Sequence, residues 1–434
     1  RGAPGRGMMK PSGRLYAFMA ILTLLFAVTV AVGTNGGAFS GKSGSPAAGA
    51  NLIAYVDLDG RIHTISPDGL SQHETISPEE GFYTWPVWSP DGSRIAFSGI
   101  PPGDNGPEPL RLYIRRQVDG ATRVVYTNEP GMGPILPGMP HYPIWSPDGS
   151  RLAFMASVSE GLTFFLHDVS GETEATVVLR NSPLYASWSA DSRYIMVHGG
   201  VDHFLVDAAS GTFVANLAKQ GIGYRAPAWS PSDSGKVALL EIESGSQNLY
   251  IADVETGGRM LIDQIAVNAA FLWSPDGNTL AVAKSRSING VVFQDISLFS
   301  PDGVKKPVSV NGNIRAFFWS PDSSKLAYII LTQDRGVLRV MMLDTATGDR
   351  WPLMDFTPSA DQSTIFGFFD QFAHSHSPWS PDSKSLVLAG ILREDGISVS
   401  AGRQAAPQIY VVDVGPDLSV NAIAEGFLAV WSPR

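Results

Sequence analysis

The stretch Trp88-Ser89-Pro90-Asp91-Gly92 decides the fold, because it returns with small variations down the whole chain. Copies begin at Trp88, Trp145, Trp188, Trp229, Trp273, Trp319, Trp379 and Trp431, at spacings of 57, 43, 41, 44, 46, 60 and 52 residues. A recurrence of roughly 40 to 50 residues is the period of repeated four-stranded units. Within the phrase Ser89 opens a type I turn, Pro90 presets φ at the first corner, Asp91 tolerates the second and Gly92 closes it. Trp188 is followed instead by Ser-Ala-Asp-Ser, Trp229 by Ser-Pro-Ser-Asp-Ser-Gly, and Trp319 and Trp379 by Ser-Pro-Asp-Ser. Serine is expected to close these turns because a type I turn does not demand positive φ there.

A short apolar run follows each turn, as in Ile95-Ala96-Phe97, Leu152-Ala153-Phe154, Leu280-Ala281-Val282 and Leu326-Ala327-Tyr328. Runs this short, bounded by turn residues, read as strands. A third strand ends in Asp near a Gly turn, as in Leu249 to Asp253 and Ile409 to Asp413, and a fourth is seen at Thr212 to Leu217 and Val308 to Val310. Four strands per unit joined by tight turns make an antiparallel meander, and radial repetition of such sheets protects their edges. The reading is all-β, a β-propeller.

These repeats resemble those of TolB-like propellers, related in shape to WD-type propellers and found also in prolyl oligopeptidase propeller domains. The resemblance covers about residues 51 to 434. It implies the fold and leaves function open, because such repeats serve binding, scaffolding and catalytic proteins alike. The small α/β domain that TolB carries ahead of its propeller has no match here, so the chain reads as a relative of TolB and not as TolB itself.

The propeller starts out of phase. Leu52 to Val56 matches the strand that normally follows a Trp turn, and Gly426 to Trp431 is a Trp strand with nothing after it. The two partial units complement each other, so the last strand is expected to complete the first blade. That gives eight blades averaging 48 residues over 51–434; seven is the alternative count if the unit at Trp188 is mis-segmented.

Ahead of the repeats, residues 1–14 are basic, and 15–33 form 19 consecutive residues without a charge, after Lys10 and Arg14. That run is long enough to span a bilayer with the N-terminus in the cytoplasm. A cleaved signal peptide is the competing reading, with Ala31-Val32-Gly33 as a small-x-small site. Either way the propeller is expected outside the cytoplasm, on a membrane anchor or released by cleavage. Residues 34–50 are rich in Gly, Ser and Ala and read as a flexible tether. The absence of cysteine excludes disulfides, thiolate metal sites and a Cys-linked lipid.

Loop lengths carry the functional clue. In a meander successive connections alternate between the two ends of the sheet, and the long insertions, Gly99 to Pro109, Asn128 to Tyr142, Asp355 to Ser377 and Gly390 to Pro407, all fall at one end. Long loops gathered on a rigid scaffold are where binding concentrates. His141, Arg225, Arg315, His374 and His376 lie within five residues of a Trp, near the expected channel mouth. Phe366, Phe368, Phe369 and Phe372 add an aromatic loop that reads either as a partner-binding patch or as a plug capping the channel.

Residues 51–434 hold 26 basic and 41 acidic groups, a net of −15, which repels nucleic acid. Asp91, Asp148 and Asp276 read as turn residues, and no cofactor or metal is assigned. The chain reads as a membrane-tethered scaffold for a protein or peptide, with a cell-surface glycan as a second ligand class. The alternative is a metal-dependent polysaccharide lyase or hydrolase, for which a resemblance to oligogalacturonate lyases would require His141, His374 and His376 to converge on a divalent cation. A serine hydrolase of the prolyl oligopeptidase kind is excluded, since no Gly-x-Ser-x-Gly pentapeptide occurs.

Overall fold

The computed structural model describes residues 51–433 except 79, 104–107, 129–139, 172–173, 219, 222–224, 288–291, 394–404 and 416–417. The basic N-terminus, the anchor or signal segment and the tether lie outside the described residues. Among the described residues no helix is long and apolar enough to cross a membrane.

Each Trp turn is held by its own side chains. Ser89 Oγ donates to Asp91 Oδ1 at 2.6 Å and accepts the Arg94 N–H at 2.9 Å, while the Gly92 N–H closes onto the Ser89 carbonyl at 2.8 Å. The same Ser–Asp bond recurs at Ser146–Asp148, Ser274–Asp276, Ser320–Asp322 and Ser380–Asp382, between 2.5 and 2.7 Å. Serine at the closing position departs from expectation. Ser192, Ser323 and Ser383 sit at φ 63°, 62° and 61°, in the left-handed region that Gly92, Gly149 and Gly277 also occupy. The reason is a bond that glycine cannot make: the three hydroxyls accept the N–H of Asp148, Asp276 and Asp322, in the neighbouring turn, at 3.0 Å each. An interblade hydrogen bond offsets the strain of a side chain at positive φ.

Four of the repeat tryptophans are interblade ties as well. The indole N–H of Trp145, Trp273 and Trp319 donates to the carbonyl of Val87, Ala228 and Leu272 at 3.2 Å, and that of Trp379 to Phe318 at 3.1 Å. Each acceptor immediately precedes the Trp of the unit before, so in these four units the motif ties itself to its neighbour.

The strands follow the expected meander. Phe82–Trp88, Arg94–Ile100, Leu110–Arg116 and Thr122–Asn128 pair antiparallel in that order. Three more four-stranded sheets repeat the order, starting at His141–Trp145, Leu184–Trp188 and Ala228–Trp229. Burial falls from the Trp strand outward: Phe82–Trp88 is buried at all but its first residue, whereas Thr122–Asn128 alternates. A ten-stranded sheet runs from Asn268–Trp273 to Val420–Glu425. It is continuous because Lys305–Trp319 serves as the last strand of one meander and the first of the next, and Arg350–Pro358 pairs onward with Ser385–Leu392.

The two ends of the described chain meet as expected. Leu428–Trp431 pairs with Ile53–Val56, with Ile53 opposite Trp431 and Val56 opposite Leu428, completing the sheet of Ile62–Ile65 and His73–Thr75. Leu428–Trp431 also packs on Phe82–Trp88 on one side and on Ser385–Leu392 on the other. Radially packed meanders closed by their first and last strands are the architecture of a β-propeller.

Candidate functional site

The antiparallel registers put the Trp turns and the third-to-fourth-strand turns at one end of every meander, and the other connections at the opposite end. Of the long insertions at that opposite end, 104–107, 129–139 and 394–404 lie outside the described residues. The fourth is described fully and is not an ordinary loop. It interrupts the innermost strand of the last meander: Phe356–Pro358 pairs with Gly390–Leu392, Trp379 bridges Leu386, and two short helices stand between, α1 (Ala360–Gly367) and α2 (Phe369–Phe372). An inner-strand insertion has only the channel to enter.

Ser359 caps α1, its Oγ accepting the Gln362 N–H at 3.1 Å, while Gln362 Oε1 accepts the Ala389 N–H at 3.1 Å. Ser-x-x-Gln is a helix-start signature that sequence reading passed over. Behind the cap the apolar residues face inward. Phe366 and Phe369 are fully buried, with Phe369 4.7 Å from Phe317 and Phe366 6.2 Å from Phe318, centroid to centroid. Phe372 stacks on Trp85 at 5.2 Å and meets Tyr142 edge-on at 5.5 Å. Of the two expectations for this segment, the plug is the arrangement present. The partner patch is corrected for Phe366, Phe369 and Phe372, whose rings are already covered by the core.

Arg225 is likewise turned inward. Its Nη2 lies 2.9 Å from Asp370 Oδ1, it donates to the Gly367 carbonyl, and its guanidinium carbon sits 5.1 Å from the centroid of half-buried Phe368. The Asp370 side chain is fully buried and also accepts the Ala226 N–H at 3.2 Å. Arg225 therefore pins the plug, which corrects its expected place as a partner anchor. Half-buried Arg315 approaches from another strand, and a Cβ at Gly367 would stand 3.2 Å from its Nη2. Burial, and then the charge of Arg225, pull the Arg315 pKa below its ordinary value.

The residue three before each Trp shapes this space. It is Trp85, Tyr142, Tyr185, His376 and Leu428 on part of the ring and Ala226, Ala270 and Ala316 on the rest, and α2 packs against the inner strands that hold Tyr185, Ala270 and Ala316. Trp85 and Tyr142 both take φ 54° at a register shift of the ladder, the signature of a bulge that re-aims a side chain. Aligning the copies at this position would have revealed the room left for the plug. Burial raises the Tyr142 pKa and lifts that of Tyr185 to about 12.

The histidines do not act as a set. His376 is buried, its Nδ1 2.9 Å from Ser375 Oγ and its ring edge-on to Trp85 and Phe372, and burial drives its pKa down to about 3. His374, two residues away, keeps contact with water even though burial depresses its pKa too. His141 is half-buried at the start of its strand. Among the described residues no group of three or more His, Cys, Asp or Glu is placed to hold a metal. Positions i and i+2 in this segment face apart, so the convergence that the lyase alternative requires is not formed.

No family model matches the chain. Among solved structures similar to it, a eukaryotic initiation factor shares 13% identity over 89% of this chain and 99% of its own, with a TM-score of 0.53. TolB from Acinetobacter baumannii shares 21% identity over 60% of this chain, with a TM-score of 0.34, and the chain spans 63% of that TolB. The β-propeller domain of the Trilobed protease from Pyrococcus furiosus shares 12% identity over 80% of this chain and 98% of its own, with a TM-score of 0.46. The solved structures that this chain resembles thus include TolB-like and other propeller proteins, and at these identities the likeness is one of fold alone.

Proposed function

We propose that the chain is an exported eight-bladed β-propeller, tethered to the membrane through residues 15–33, that binds a protein or peptide at its long-loop end. What supports the blade count is a division of the ten-stranded sheet into three meanders, with Lys305–Trp319 shared between the first two and Trp379 taken as the inner edge of the third. The observation that carries the binding reading is the asymmetry of the disc. One end consists of short turns tied to each other by Ser192, Ser323 and Ser383, while all the long connections leave from the other.

The plug narrows the list of contact residues. Phe366, Phe369, Phe372, Arg225 and His376 build the floor, and His374, His141, Arg315 and the open side of Phe368 are the groups that a ligand can reach from the mouth. A mouth that carries the Arg315 guanidinium and the open side of Phe368 on a domain of net charge −15 favours an acidic protein segment, with an acidic cell-surface glycan as the second ligand class. The metal-dependent lyase reading has no assembled ligand set among the described residues to support it.

The test compares two ends of one protein. A detergent extract is passed over immobilised wild-type chain, a His141→Glu/His374→Glu variant at the long-loop end, and an Asp119→Lys variant in an exposed short turn. Partner recovery lost only with the first variant supports the reading; loss only with the second overturns it. Protease added to intact cells tests export, and a propeller that it cannot reach contradicts the orientation.

A further inference from the structure

His198 lies on the second strand of its meander, Tyr194–Gly199, directly opposite His203 on the next strand, Asp202–Asp207. Both are buried, and their rings stack at 4.6 Å with an interplanar angle of 11°. His198 Nδ1 is 2.8 Å from the Arg225 carbonyl oxygen and Nε2 is 2.8 Å from the Gly221 carbonyl oxygen. A carbonyl oxygen only accepts, so each contact asks for an N–H, and an imidazole carries an N–H on both nitrogens only as the cation. A neutral ring would aim one lone pair at a carbonyl oxygen inside the protein.

The surroundings fit a single fixed geometry. His203 Nδ1 donates to the Ala218 carbonyl at 3.1 Å, and the Gly221 N–H closes onto Val201 at 2.8 Å. Gly221 is required at this spot: a Cβ there would stand 2.0 Å from His203 Cε1. Among the described residues, the charged and titratable groups beside the pair include Tyr185 from the inner strand, with its ring 6.0 Å from His198, Asp202 from the next strand, and Arg225 itself. Arg259 of the neighbouring sheet acts on His203 and donates to the Leu217 carbonyl. Asp202 favours a positive His198, while Arg259 disfavours a second charge on His203. One cation and one neutral ring is the balanced state.

We propose that His198 is a buried imidazolium that clasps the backbone at Gly221 and Arg225, and so sets the position from which the Arg225 side chain pins the plug through Asp370. The clasp stands independently of any partner. Burial is the largest influence on the ring and pulls its pKa below the ordinary value, while the two carbonyl contacts and Asp202 work for the cation; the proposal rests on the geometry of two acceptors facing the two ring nitrogens, and hydrogen bonds from a charged donor are the stronger kind.

The measurement is a long-range proton–nitrogen correlation spectrum of the full chain labelled with 15N-histidine, with the His198 signal assigned by its loss in His198→Gln. Protons on both ring nitrogens at neutral pH are expected, together with a neutral His203. A His198 ring with one bare nitrogen under the same conditions overturns the proposal. Hydrogen exchange supplies the second readout. Glutamine cannot donate in two opposite directions, so exchange at the Gly221 amide and through α2 is expected to quicken roughly tenfold in His198→Gln. Unchanged exchange at both places would show that the ring clasps nothing.

Discussion

Removing the Arg225 side chain tests how the plug is held. In Arg225→Met the fully buried Asp370 carboxylate keeps the Ala226 N–H at 3.2 Å and loses its 2.9 Å cationic partner. Uncompensated buried charge of this kind costs about 3–5 kcal/mol. The reverse change, Asp370→Asn, leaves a guanidinium that is 18% exposed and can turn toward water, so it is expected to cost less, about 1–2 kcal/mol. Arg225→Met/Asp370→Asn removes both charges, and its cost is expected to fall below the sum of the single variants by about 1.5 kcal/mol or more. Equilibrium urea unfolding of the four proteins completes the cycle, and hydrogen exchange through 360–372 reports on whether the plug opens before the sheets. Single variants that each cost under about 0.5 kcal/mol, with additive effects, would refute the pinning argument.

Three further outcomes follow from the same contacts. Burial lifts the Asp361 pKa to about 7, so the folded state holds this proton longer than the unfolded chain does, and stability is lost as pH rises from about 4 to about 7, by at most about 4 kcal/mol; pH-dependent melting of wild type against Asp361→Asn checks this, and parallel curves contradict it. Ser323→Ala keeps φ near 62° and loses the bond to Asp276, at about 1 kcal/mol, whereas Ser323→Gly relieves the strained backbone and is expected to be about 1 kcal/mol more stable than the alanine variant; the opposite order in denaturant melts would put that backbone at negative φ. Deleting 426–434 removes the strand paired with Ile53–Val56, and global loss of folding is expected; a melting temperature within a few degrees of wild type would mean that this strand does not close the ring.

The strands were legible because their signal is local and repeated: a Trp, a turn written in Ser-Pro-Asp-Gly, and an apolar run. Closure by Leu428–Trp431 was legible too, from the phase of the first and last units. The serine turns were not. Nothing within Ser320 to Lys325 says that Ser323 takes positive φ, because the compensating bond comes from Asp276 in another blade. The plug was half legible. Its phenylalanines stood out, but which way they face depends on alanines at 226, 270 and 316, far apart in sequence and side by side only once the ring has closed. Arg225 was misassigned for the same reason, since its partner Asp370 lies 145 residues away. His198 and His203 carried no signal at all: their pairing is a matter of strand register, and their acceptors are backbone carbonyls.

The central claim is that a partner docks on the long-loop end, and site-specific photo-crosslinking in intact cells tests it most directly. A benzophenone amino acid placed at His374 reports on the channel mouth, and one placed at Asp119, in an exposed turn, reports on the opposite end. The account predicts a discrete crosslinked protein from position 374 and none from position 119. A crosslink from 119 alone would place the partner on the short-turn end and contradict it.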